Sequence, residues 1–144
     1  MKNSLTVLYL VIAGLLLLVI GGALMFAPHS FHGSNGIVLG NDPSLLSEIR
    51  APGGLLASSG MIILIGAIRR QLRSPAVQLT ALVYGSFGLA RLVSMALDGM
   101  PSSSIVAATA LELIVALVGL AVLWRLRGKF ASDQSLEVAP STGG

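Results

Sequence analysis

The sequence has no cysteine, two histidines, one tryptophan and only 10% charged residues, and each shortage closes a class of function. Without cysteine there is no disulfide framework, no thiolate nucleophile and no cysteine-held metal or cluster. Haem ligation needs a histidine within a membrane span, and His29 and His32 both fall in a loop. Charged residues at that level lie far below the roughly 25% of soluble domains. In their place stand 54% hydrophobic residues and a mean hydropathy of +0.88 over 144 residues, so the chain reads as a single membrane domain. A net charge of +3 and a pI near 10.0 suggest nucleic acid in a soluble protein. Here the basic residues flank apolar runs, where they act as orientation signals, and nucleic-acid binding is set aside.

Four apolar runs follow in order. Leu5 to Phe26 carries no charge, and about 22 residues at 1.5 Å each cover roughly 33 Å, enough to cross a bilayer. Its length and the poor cleavage context Met25-Phe26-Ala27 point to a retained span rather than a signal peptide. Ala27 to Asn41, with Pro28, its glycines and both histidines, reads as an irregular loop over one membrane face, Phe31 dipping into lipid. Asp42-Pro43 has the form of a helix start, an N-cap residue followed by proline at the first helical position. Ala51 to Ile68 is the second span, its entrance loosened or kinked at Pro52.

Arg69, Arg70 and Arg73 form a basic turn that Pro75 closes, and Ala76 to Leu97 is the third span. The turn Asp98-Gly99-Met100-Pro101 leads to the fourth, Ile105 to Leu126, which ends at Trp124, Arg125, Arg127 and Lys129. Residues 128–144 read as a flexible tail. Lysine and arginine alternate by loop: Lys2, the arginine turn and the final cluster lie on one side, and only Arg50 lies on the other. The positive-inside rule then puts both termini in the cytoplasm. The expected fold is an all-α integral membrane four-helix bundle.

Two of the runs carry a charge inside. Arg91 lies about 9 Å below the outer end of its span and Glu112 about 10 Å below the outer end of the next. Either charge alone costs about 2.5 to 3.5 kcal/mol near the centre of a lipid-facing helix, so the two are expected to turn inward and meet. Tyr84, Gly88, Arg91 and Met95 share one helical face, as do Ala108, Glu112 and Ala116. Glu48 and Arg50 stand just outside the second span in the same half, so the expected ligand site is Glu48, Arg50, Tyr84, Arg91, Asp98 and Glu112. Its charged members sum to minus one. This set suits a polar pocket for the head of an amphipathic small molecule; the bland alternative is a clamp that fixes helix register.

Other motifs carry less. His29 and His32 supply two ligands, too few for a metal site, and Gly53-Gly54 lacks the third glycine of a dinucleotide loop. Ser58, Ser59, Ser86 and Ser94 have no histidine in a span to activate them and read as helix-helix contacts. An interface enzyme, an oxidoreductase or isomerase with Glu112 or Glu48 as acid/base group, is the alternative function, but no cofactor is displayed and its identity is unknown. A small transporter is the third, although only Thr80, Gln78, Ser58 and Ser59 lie toward the cytoplasmic side. Small residues such as Gly54, Ser58, Ala81 and Gly85 leave a homo-oligomer open.

The segments Ser47-Glu48-Ile49-Arg50-Ala51-Pro52-Gly53-Gly54, Ala90-Arg91-Leu92-Val93-Ser94 and Asp98-Gly99-Met100-Pro101, with Glu112, resemble a family of short four-span bacterial inner-membrane proteins of unknown function, similar in layout to the DoxX-like group. The resemblance covers the chain to about Arg127. It implies the four-helix bundle, the bacterial inner membrane and the same charged positions, and it supplies no reaction. Since some DoxX-like proteins are linked to quinone or respiratory complexes, it also implies a quinone-like ligand or an accessory role in a membrane complex.

Overall fold

The computed structural model describes the backbone of residues 2–137 and side-chain surroundings over residues 4–125. All elements among them are helical: α1 (Lys2–Phe26), α2 (Pro28–Gly33), α3 (Pro43–Ile68), a 3-10 turn (Arg70–Leu72), α4 (Arg73–Asp98) and α5 (Ser103–Glu137). Four of the α-helices are long and apolar enough to cross a membrane. The Asp42 side chain accepts from the Leu45 amide at 2.9 Å and Pro43 sits in the first turn, so α3 begins at the expected cap.

Four boundaries differ from expectation. Between Ala27 and Asn41 lies the short helix α2, started by Pro28, whose fixed φ suits a first turn. Pro52 sits within α3, which stays helical from residue 43 to residue 68. Pro75 falls in the first turn of α4, where its missing N–H has no helical partner to lose. Beyond Arg127 the helical backbone of α5 continues through a stretch containing Lys129, Phe130, Ala131 and Gln134, residues compatible with a helix. The final seven residues of the expected tail, 138–144, lie outside the described residues.

The helices pair as two antiparallel hairpins, α1 with α3 and α4 with α5. Along α1/α3 the backbones approach so closely that a Cβ on Gly60 would stand 2.6 Å from the Gly14 carbonyl and 2.7 Å from the Leu18 nitrogen. Backbone cannot move aside as a side chain can, so only glycine fits. The hairpins join most tightly at the basic-turn end, where Leu10, Ala13, Ile63, Val77, Thr80 and Tyr84 form a closed core. Thr80 places its hydroxyl on the Ala76 carbonyl at 2.8 Å and so buries no unpaired group. Two long hydrogen bonds tie the hairpins: Tyr84 donates to the Ala13 carbonyl at 2.8 Å and Tyr9 to the Val115 carbonyl at 2.9 Å. Toward the α2 end there is room for a cavity.

Gly60→Ala should lower the melting temperature in detergent, with an overpacking cost of about 1 to 3 kcal/mol. Gly22→Ala, whose Cβ would meet nothing within 4 Å, should leave it within error. Equal effects from the two substitutions count against the glycine contact as a determinant of packing.

Candidate functional site

Hydrocarbon solvates neither a guanidinium nor a carboxylate, so the position of Arg91 and Glu112 in mid-helix decides which faces of α4 and α5 meet. The Arg91 Nε donates to both carboxylate oxygens of Glu112, at 3.2 and 3.1 Å. Gly88, one turn before Arg91, makes the approach feasible: a Cβ there would stand 2.8 Å from Leu113 and 3.5 Å from Glu112. The pair is asymmetric. The Glu112 side chain is 15% exposed and that of Arg91 36%, and neither terminal nitrogen of the guanidinium donates to another described residue.

Beside the pair, between the two hairpins, lies a cavity of about 320 Å³, at the low end of the roughly 300 to 1,000 Å³ found for small-molecule sites. Its walls are mainly aliphatic and aromatic, with Leu17 and Ile20 from α1, Leu56 from α3, Val83 and Phe87 from α4 and Leu111 from α5. Polar groups enter at few points: Arg91 and Glu112, Tyr84, and His32 and Asn35 from α2 and the segment after it.

The expected site is therefore only partly assembled. Tyr84 lines the cavity, but its hydroxyl is committed to the Ala13 carbonyl and is not offered to the space. Arg50, expected at the rim, instead places Nε on the Met25 carbonyl at 3.1 Å, where a cation meets the negative end of α1. Asp98 is exposed and accepts from Ser94 one turn earlier at 3.0 Å. Glu48 is exposed and lies outside the cavity. Ile49, between Glu48 and Arg50, does line the cavity, so the two charged side chains stand at its level and are turned elsewhere. Phe31, expected in lipid, lines the cavity as well.

His32 and Asn35 are the polar residues that sequence reasoning passed over. Only the arrangement of α2 brings them in: His32 Nδ1 lies 3.0 Å from the Pro28 carbonyl, and Asn35 donates to the Phe31 carbonyl at 3.1 Å while accepting from Ser104 at 2.9 Å. The i to i−4 spacing of Pro28 and His32, after a proline that can open a helix, was the available signal. Among the described residues no group of three or more His, Cys, Asp or Glu is placed to hold a metal ion.

The family model for a domain of unknown function, DUF4345, matches residues 5–124. The chain belongs to this family. No curated protein and no solved structure matches it. The DUF4345 region contains the four membrane-length segments through Trp124, and with them every residue of the ion pair and the cavity wall. Chemically, the arrangement offers hydrogen-bond donors from a neutralised guanidinium inside a mostly apolar space.

Removing one partner of the pair leaves the other charge stranded, a loss of about 3 to 5 kcal/mol for a fully buried pair and less here, where Arg91 is partly exposed. Glu112→Leu and Arg91→Met should each lower the melting temperature in detergent, and the double variant should recover most of the loss. A double variant no better than the worse single one means that the pair does not act as a unit.

Proposed function

We propose that this DUF4345 protein is a bacterial inner-membrane protein with both termini in the cytoplasm, and that the cleft between its hairpins binds the polar head of an amphipathic small molecule, a lipid or a quinone-like compound. One observation carries the reading. Arg91 is held from one side by Glu112 and borders an apolar cavity with both terminal nitrogens unpartnered among the described residues. In a bilayer, N–H groups without an acceptor cost several kcal/mol, and an oxygen on a ligand head removes that cost. Orientation draws on the placement of Arg69, Arg70, Arg73 and Arg125 at one end of the bundle against Arg50 at the other. The similarity in layout to DoxX-like proteins belongs to this proposal too, and adds to the quinone-like option that the pocket's polar groups already suggest.

The enzyme reading has less support. Glu48 lies outside the cavity, and both oxygens of Glu112 already accept from Arg91. Transport has less still, because the closed core around Leu10, Val77 and Thr80 fills the bundle beyond the cavity.

Protein purified in mild detergent and extracted with organic solvent should yield one amphipathic species near stoichiometric amount by mass spectrometry. Arg91→Ala should lose it, while Asp98→Ala should keep it. A wild type without any bound species, indistinguishable from Arg91→Ala, refutes the binding role.

A further inference from the structure

The cavity has a flank as well as a top. Helices α1 and α5 face each other across it, with Leu16 and Ile20 on one wall and Ile105 and Ala108 on the other, yet they do not pack together as the paired helices do. At a lower level Tyr9 donates to the Val115 carbonyl at 2.9 Å; at an upper level Ser104, at the start of α5, donates at 2.9 Å to Asn35 in the segment after α2, not to α1. Among the described residues no hydrogen bond joins α1 to α5 between these levels. From Val115 to Ser104 α5 rises about 17 Å, so the intervening gap is long enough to admit a chain from the bilayer.

The polar groups at this cavity are complementary to each other. Arg91 can only donate. His32 Nδ1 lies 3.0 Å from the Pro28 carbonyl, and because a carbonyl only accepts, the contact selects the Nδ1–H tautomer of the neutral ring, in which Nε2 is an acceptor. Glu112 already balances the Arg91 charge, so an anionic head would bring an uncompensated charge into a low-dielectric space. A cavity of about 320 Å³ takes a head and the first part of a chain, so the rest must lie outside it.

Resting on the reading above, we infer that the occupant is an uncharged ester lipid with a free hydroxyl, which enters sideways from the bilayer through the α1–α5 window. Its carbonyl accepts from Arg91, its hydroxyl donates to His32 Nε2, and its chains remain in the window.

The probes are dioleoylglycerol and dioleoylphosphatidic acid, which share their chains and differ in hydroxyl against phosphate. Full-length protein in nanodiscs holding both at equal mole fraction is released and weighed by native mass spectrometry. The diacylglycerol should be retained over the phosphatidic acid by roughly tenfold, equivalent to ~1.4 kcal/mol. His32→Phe, which keeps the apolar shape and removes the acceptor, should erase that preference. Ala108→Trp and Ile20→Trp, plugging the window from opposite walls, should each abolish retention of both lipids; two plugs guard against one variant failing to fold. Equal or greater retention of phosphatidic acid, or retention unchanged in both plugged variants, overturns this inference and leaves the head site standing. A wild type that retains neither probe and yields no amphipathic species on extraction brings down the binding role as well.

Discussion

A charge placed within a membrane helix has to find a partner that hydrocarbon cannot supply, and in this protein Arg91 and Glu112 are that partner for each other. Two oxygens facing one Nε at 3.1 and 3.2 Å fix the rotation of α4 against α5 and their register along the bundle axis. The rest of that hairpin agrees with this register: Gly88 against Leu113, Gly85 near Ala116 and Gly119 beside Ala81 fall along one antiparallel seam. Small residues there add contact area that a larger side chain would deny.

The two hairpins are held by a different device. The core of Leu10, Ile63, Val77 and Thr80 closes one end, and two tyrosine hydroxyls reach across to main-chain carbonyls. Each such bond satisfies a hydroxyl that would otherwise be buried bare, so the tyrosines serve as struts as well as filling space. With the hairpins bound at that end, side chains at the other do not fill the interval, and α2 with the segment to Asn35 lies over it.

Much of this was legible in the sequence, and what was not has a common cause. The four spans follow from hydropathy and length, because backbone groups in lipid have no alternative to a helix. Pairing of Arg91 with Glu112 follows from matched depth, since cost and geometry point the same way. Left apart from the pair are the charged residues near helix ends. There water and headgroups satisfy charge cheaply, so Glu48 and Asp98 had no need to converge, and Arg50 donates to the carbonyl of Met25 although its neighbour Ile49 lines the cavity. The placement of His32 and Asn35 depends on six residues of α2, too short an element for hydrophobic periodicity to reveal.

The asymmetry of the pair is what favours the proposed site over a clamp. A clamp is best served by an ion pair closed on all sides, or by none, since apolar residues of similar volume often stabilise as well. Here the guanidinium spends one nitrogen on Glu112, and Arg91 lines a space walled by Leu17, Ile20, Phe87 and Leu111. Water makes a poor filler for such a space, because a held water wants two to four polar partners and these walls give few. On the proposed reading, a molecule with an oxygen at one end and a hydrocarbon body would satisfy both the donors and the walls, which is why four membrane-length helices and this cavity belong to one argument.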